Sequence, residues 1–566
     1  MTTGTIRSTP LTSAATASRM FPVLTGAQIA RMAAHGVTRA VARGEVLIES
    51  GETDVPLFVV TAGEIEIVRP SSLGDRVIAF HRPGQFTGEA SMLLGRPAMM
   101  RVRASESGEV VQLTRDQMHA LIQTDAELSD VLMTALIHRR VELVAQGIGD
   151  ALLIGSARSA DTLRIKAFLT RNGHPFQYLD LDRDGDVRAL LERFQVDPGG
   201  MPVLICRDDA VLKNPGNQAI AEHLGFNGRI DRGHVRDVVI VGAGPSGLAA
   251  AVYAASEGLD VLVIEGTAPG GQAASSSRIE NYLGFPTGIS GQDLAGRAFA
   301  QAQKFGASVM IARAAARLGQ GPWPHQVGLD DGGAVSARAV VVATGARYRK
   351  PALPDLARFE GAGIYYSATF MEDAQLGGDD EVIVVGGGNS AGQGAVFLAR
   401  TGRRVHVLVR GDSLSATMSR YLVRRIEETP NIAVRTRTEL VALAGAGHLD
   451  RVQWRDGTGA VTCHDVRHVF LMTGAEAGTG WLDGCLALDA TGFVRTGPDL
   501  TPDDLASARW PLARPPYPLE TSRPGVFAVG DVRCGNVKRV ASAVGEGSMA
   551  ISFVHRVLAE QAESSR

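Results

Sequence analysis

Asp237-Val238-Val239-Ile240-Val241 runs directly into Gly242-Ala243-Gly244-Pro245-Ser246-Gly247 and then Leu248-Ala249-Ala250-Ala251. Four consecutive β-branched apolar residues read as a strand buried on both faces, the pattern of a parallel sheet. The glycines that follow allow a tight turn, close backbone approach to a ligand, and close packing of the next helix. A helix opening there aims its unpaired amides and its positive dipole end at a pyrophosphate. Val261-Leu262-Val263-Ile264 supplies the next strand and ends in Glu265, at the distance expected for ribose hydroxyls. The spacing predicts a dinucleotide site contacted by Gly242, Gly244, Pro245, Ser246, Gly247 and Glu265.

A second copy follows. Glu381-Val382-Ile383-Val384-Val385 leads into Gly386-Gly387-Gly388-Asn389-Ser390-Ala391, and its next strand, Arg404-Val405-His406-Val407-Leu408-Val409, ends in Arg410. A cation there accepts a 2′-phosphate that an acid would repel. Gly386, Gly388, Asn389, Ser390, Ala391 and Arg410 are therefore the expected contacts of a second nucleotide. Two such Rossmann units in one chain usually hold one flavin and one nicotinamide, so that hydride passes between them.

Three further stretches extend the pattern. They are Gly270-Gly271-Gln272 with Ile279-Glu280-Asn281-Tyr282-Leu283-Gly284-Phe285-Pro286, then Ala343-Thr344-Gly345-Ala346, then Phe527-Ala528-Val529-Gly530-Asp531-Val532 continuing to Lys538-Arg539-Val540-Ala541-Ser542. In this order they resemble the flavin-facing loop, the crossover and the second FAD segment of thioredoxin reductases. The resemblance covers residues 235 onward. It implies an FAD-binding domain in two segments, 235–350 and 477–566, flanking an NAD(P)-binding domain at 351–476. It also implies FAD contacts at Gly271, Gln272, Asn281, Thr344, Gly345, Gly530, Asp531, Arg539, Val540 and Ala541, with the helix beginning near Val540 facing the flavin pyrimidine. NADPH is the implied hydride donor. The family's arginine-rich NADP signature survives only in part, with Val409, Arg410, Gly411 and Ser415 at its positions, so NADH stays open. A homodimer is implied as well.

The departure is at the redox centre. Where the family carries Cys-Ala-Thr-Cys, this chain reads Ser367-Ala368-Thr369-Phe370. A thiolate attacks disulfides and is regenerated by electrons from flavin; a hydroxyl and a phenyl ring do neither. Ser367 and Phe370 thus mark the positions of absent cysteines and carry no catalytic role, although a phenyl ring there is placed either to stack on flavin or to fill core.

Before residue 235 the pattern changes twice. Residues 21–146 carry short β-runs such as Leu57-Phe58-Val59-Val60 and the alternating Gly63-Glu64-Ile65-Glu66-Ile67-Val68, closed by a helix over 126–145. This reads as a β-roll, and Phe86-Thr87-Gly88-Glu89 onward to Met99 resembles the phosphate cassette of cyclic-nucleotide-binding domains. Gly88 and Glu89 match that family's ribose contacts. The phosphate-binding arginine falls on Ala98 and its small neighbour on Met99, so the clamp of charge-assisted bonds is missing, and Met99 is expected to fill the space. Arg96 or Arg101 would substitute only by a changed approach. The cassette is therefore either an altered sensor or a degenerate unit kept for contacts.

Residues 150–228 read as β-α-β-α-β-β-α and resemble the thioredoxin/glutaredoxin fold. Pro202 stands at that family's cis-proline and Ser159-Ala160-Asp161-Thr162 at its C-x-x-C. Again the sulfurs are absent, which suggests a docking or spacer role.

The fold class expected is thus multidomain: a β-roll, an α/β thioredoxin-like domain, and two Rossmann-like α/β domains. At 566 residues the chain is too long for one domain. A net charge of −3 argues against non-specific nucleic-acid binding and a polybasic membrane anchor. The Thr/Ser/Ala-rich residues 1–20 lack an apolar signal core and read as a disordered lead-in; with no long apolar run, a cytoplasmic location is expected. Only four cysteines occur, Cys206, Cys463, Cys485 and Cys534, none as C-x-x-C, which fits a reducing compartment. Cys463, His464 and His468 form a C-H-x-x-x-H run that reads as a solvated edge, with no metal expected.

The leading expectation is an FAD-dependent NAD(P)H oxidoreductase. Its acceptor, small molecule or protein, is open: a quinone, dye, oxygen, ferredoxin-like carrier or dedicated protein. A disulfide reductase working through a lone thiol such as Cys534 is one alternative. A non-enzymatic flavin-based sensor is another.

Overall fold

The computed structural model describes residues 18–564 apart from 71–74, 89–91, 93–94, 158, 185–200, 207–209, 228–229, 322, 367, 369–379, 401–402 and 483. Of the disordered lead-in expected over 1–20, residues 1–17 lie outside the described residues, and residues 18–20 correct the expectation: they are helical, with Met20 5% exposed and its carbonyl accepting from Arg139 Nε at 2.8 Å.

The first set of elements is α1 (Gly26–His35), β1 (Val37–Val41), β2 (Val46–Ile48), β3 (Leu57–Ala62), β4 (Ile65–Arg69), β5 (Arg76–His81), β6 (Arg101–Ala104), β7 (Gly108–Leu113), α2 (Arg115–Thr124) and α3 (Ala126–Ala145). Two antiparallel sheets, ordered β1-β7-β3 and β2-β6-β4-β5, face one core containing Leu57, Phe58, Phe86 and Leu113. Each such side chain contributes roughly 1.5–3 kcal/mol when removed from water. The alternation read in residues 63–68 gives way within β4, where Ile65 and Val68 are both buried, and the register with β5 shifts between Ile67 and Val68.

The second set is β8 (Ala151–Gly155), α4 (Ala160–Arg171), β9 (Phe176–Asp180), β10 (Val203–Ile205), β11 (Val211–Lys213) and α5 (Asn217–His223). Its sheet runs β11-β10-β8-β9, with β8 and β9 parallel and β10 antiparallel to both neighbours. The Met201–Pro202 peptide is cis. The helix expected between β9 and β10 falls on residues outside the description.

The third set begins with β12 (Val235–Val241), α6 (Pro245–Ser256), β13 (Val261–Glu265), α7 (Gly291–Lys304), β14 (Ser308–Ile311), β15 (Ala315–Leu318), β16 (His325–Leu329) and β17 (Ala334–Val342). Parallel strands β14-β13-β12-β17 carry the sheet, and Val238, Val239 and Ile240 are fully buried, as a strand covered on both faces requires. The chain leaves through β18 (Ala346–Tyr348) into β19 (Ile364–Tyr365), β20 (Val382–Val385), α8 (Asn389–Ala399), β21 (Val405–Val409), α9 (Arg420–Glu427), β22 (Ile432–Thr436), β23 (Glu439–Ala444), β24 (Arg451–Arg455), β25 (Val461–His464) and β26 (His468–Leu471). These build a parallel sheet β19-β26-β20-β21-β22 and an antiparallel β23-β24-β25. The chain returns through β27 (Ala475–Ala477), which pairs with β18, to β28 (Val526–Ala528) and α10 (Val540–Ser564). β28 completes the earlier sheet: the start of β17 pairs with β16, its end with β28.

His468 corrects one expectation. Cys463 is exposed on β25, but His468 is 6% exposed in β26, inside the parallel sheet rather than on a solvated edge. Burial pushes its imidazole down to about 4, opposed by Asp380 at 3.6 Å.

Candidate functional site

Each glycine-rich turn follows a buried parallel strand and opens a helix with no side-chain cap. In the first, Gly242 has φ +108°, and an added Cβ would collide with the Ala343 carbonyl. A side chain on Gly247 would strike the Gly242 carbonyl, which fixes how closely α6 lies against the turn. Gly244 is the N-cap of α6, with Pro245 next and no side-chain cap. By contrast α1, α2, α3, α4 and α7 are capped by Thr25, Thr114, Asp125, Ser159 and Ser290. α6 therefore keeps its leading amides for an external acceptor.

Glu265, expected to meet ribose, has a second job. Its Oε2 accepts from Ala243 N at 2.9 Å, and Oε1 accepts from Thr267 N at 2.9 Å and Ala268 N at 3.1 Å. The carboxylate thus ties the glycine turn to the loop after β13. That loop carries Gly271, packed against Gly244, and Gln272, whose Nε2 donates to the Ala346 carbonyl. Asn281 is exposed on the excursion between Ile279 and Ile289.

On the return segment, Gly530 has φ +73°, and its N–H donates to Glu546 Oε2 at 2.7 Å. Asp531 is half-buried; burial raises its carboxyl, Lys538 opposes and Glu546 adds. α10 begins at Val540, with Arg539 and Ala541 exposed at its mouth. Thr344 Oγ1 donates to the Gly478 carbonyl at 2.8 Å, closing the crossover beside Gly345 at φ +63°.

In the second turn Gly386 has φ +146°, and a Cβ there would meet the Met472 carbonyl. Gly388 N-caps α8, again with no side-chain cap, and a Cβ on it would meet nothing within 4 Å. Asn389 Oδ1 accepts from Ser419 N at 2.7 Å, anchoring the turn to the start of α9, and Ala391 is fully buried. Arg410 is exposed at the end of β21. Tyr348, which no local pattern flags, stands against the second turn. Burial holds its phenol above the ordinary value, a hydrogen bond with Ser390 opposes this, and the Asp531 carboxylate adds to it. Arg425 of α9 also pairs with Glu280, in the segment after Gln272, at 2.7 Å.

The residues fit two dinucleotides: two turns a Cβ would obstruct, two uncapped helix starts, and an acid after one strand against a cation after the other. Glu546 and Tyr348 escaped the sequence reading because they act on residues distant along the chain, and the loop-closing use of Glu265 because it appears only once the following loop folds back on its carboxylate.

Other expected positions fall elsewhere. Ser367, Phe370 and Glu89 lie outside the described residues; Ala368 is core. Gly88 gives its carbonyl to Arg139 Nη1 at 2.8 Å, and Met99 is 6% exposed. Arg101 pairs with Glu49 and Asp75 at 2.8 and 2.9 Å. Ser159 caps α4, and Thr162 is fully buried. Burial, then Asp489, pushes the Cys534 thiol up, against the thiolate that the lone-thiol alternative needs. Among the described residues no His/Cys/Asp/Glu group could hold a metal, and no helix is long and apolar enough to cross a membrane.

The family described as pyridine nucleotide-disulphide oxidoreductase matches residues 236–547, and the cyclic nucleotide-binding domain matches 38–125. Thioredoxin reductase of Mycolicibacterium smegmatis is 34% identical over 328 residues, 58% of this chain and 98% of that protein. That of Treponema pallidum is 34% identical over 315 residues, 56% and 94% of the two. Among solved structures, Lactococcus lactis thioredoxin reductase superposes with TM-score 0.51 at 26% identity, covering 57% of this chain and 99% of that one. Thioredoxin reductase of T. acidophilum gives 0.50 at 26%, covering 58% and 100%.

Proposed function

The chain belongs to the pyridine nucleotide-disulphide oxidoreductase family, and from that premise we propose an FAD-dependent NAD(P)H oxidoreductase whose electrons leave for an acceptor other than a disulfide. The observation that carries the reading is a pair of complete nucleotide turns, each leading into an uncapped helix, in a chain with no C-x-x-C. FAD, when bound, supplies the hydride acceptor. Gly242, Gly244 and the open start of α6 would hold its pyrophosphate, and Asp531 with the α10 terminus would meet the flavin end. Gly386, Gly388 and Ser390 would receive NAD(P)H, Arg410 favouring the 2′-phosphate form, and Tyr348 would keep that turn aligned with the flavin side. We read the second unit as thioredoxin-like and cysteine-free, and the first as a cyclic-nucleotide-binding domain that has lost its phosphate clamp. A cytoplasmic homodimer completes the proposal.

Anaerobic NADPH titration tests it. Uptake of two electrons per FAD supports the reading; four would require a redox dithiol and sink it. An acceptor screen that includes thioredoxin disulfide and quinones then separates the destinations. For the cassette, calorimetry should find no micromolar binding of cAMP or cGMP.

A further inference from the structure

Arg96 is the cassette's own guanidinium, 5% exposed. Its Cζ lies 4.4 Å from the ring centroid of Phe226, which belongs to the second unit. Pro97 beside it packs on Gly225. A buried cation needs an acceptor or an aromatic face, and the cassette presents this one to protein rather than to a nucleotide. Phe226 in turn stacks on Phe168 of α4 at 5.9 Å.

One turn further along α4, the helix ends on the loop after β13. Asn172 Nδ2 donates to the Phe168 carbonyl at 2.9 Å and to the Thr267 carbonyl at 3.2 Å. Arg171 Nη2 donates to the Gly271 carbonyl at 3.3 Å, and Gln292 Nε2 of α7 donates back to the Arg171 carbonyl at 3.2 Å. Beside them Asn227 Oδ1 accepts from Ile311 N at 2.6 Å, and Ile311 and Ala312 share the second unit's core. Thr267 and Gly271 bracket the loop that holds Glu265 by two amides and packs on Gly244.

We propose that Arg171 and Asn172 are positioning residues for the FAD turn, clamping its loop through the Thr267 and Gly271 carbonyls, with Arg96 on Phe226 as the outer anchor of the clamp. This rests on the FAD reading above. The degenerate cassette has exchanged a ligand in solution for a partner in its own chain.

The test is FAD release from the full-length holoprotein, followed by flavin fluorescence, with amide exchange of residues 266–276 measured on the same samples. Arg171→Ala with Asn172→Ala should speed release about tenfold, and Arg96→Ala about threefold, each with faster exchange in that loop. Arg96→Lys and Arg171→Lys, which retain a cation or donor, should recover most of the loss and remain informative if the double variant folds poorly. The flavin midpoint potential should shift with the double variant and return with Arg171→Lys. Release and exchange within twofold of the parent in all variants overturns the clamp while the FAD reading stands. A parent chain that takes up no FAD overturns both.

Discussion

The two glycine turns share a fold and differ in what holds them. The turn at 242–247 is braced from behind: Glu265 ties its Ala243 amide to the amides of Thr267 and Ala268, Gly271 packs on Gly244, and Ala343, just past β17, backs it. The turn at 386–391 is held by Asn389 on Ser419, by Ser390 on Tyr348 and by the Met472 carbonyl, and it stands open at Gly388. After the first strand pair comes an acid absorbed into the loop; after the second comes an exposed arginine. Such a difference suits a cofactor that stays against a nucleotide that enters and leaves at each turnover. Retention comes from what braces a turn, and exchange from leaving one face of it unbraced.

The largest expected effect breaks the tight turn outright. Gly242→Val forces a β-branched side chain to φ +108° and into the Ala343 carbonyl, so the purified protein should carry no flavin absorbance. Its counterpart in the open turn, Gly388→Ala, should leave FAD content intact and raise the NADPH KM only a few-fold; equal loss of flavin in both variants would erase the distinction. Glu265→Gln keeps the shape but loses charge and one acceptor oxygen. At about 1.5–3 kcal/mol for charged hydrogen bonds, FAD release should accelerate at least tenfold, read by fluorescence. Arg410→Ala should raise the NADPH KM roughly tenfold while changing that for NADH less than twofold; equal changes would remove Arg410 from phosphate recognition.

The smallest effect concerns acid stability of the sheet under the open turn. His468 titrates at about 4 when folded and near 6.5 when free. The unfolded chain therefore binds the extra proton across that window, and stability falls as pH drops from about 6.5 toward 4. His468→Gln should flatten this part of the thermal-melting profile by a degree or two at pH 5, relative to its own value at pH 7.5. An unchanged slope would sink the assignment.

Both turns were legible in the sequence because each is written locally, in a run of β-branched residues followed by glycines whose backbone angles no other residue adopts cheaply. The helix at 126–145 was legible from its own stretch of sequence, whereas the start of α10 at Val540 came from the resemblance to the second FAD segment. Glu265 was read as the acid that ends the second strand, but its three amide partners were not, because they form only when the loop folds back. Tyr348, Glu546 and Arg171 were illegible: each acts across more than fifteen residues, and nothing in its immediate sequence distinguishes it from an ordinary side chain. The register shift at Ile67 was hidden likewise, being a property of the pairing with β5 rather than of β4.

β17 carries a consequence for biosynthesis. Residues 340–342 of that strand pair with β28, which the ribosome delivers only after the whole of β19 through β27. Until then the strand's far end is an open edge of valines in a half-built sheet, the geometry that invites pairing with a neighbouring chain. The inserted unit matures as a guest while its host remains incomplete, and the interval in which a nascent chain is most exposed to aggregation is set by the length of that insertion.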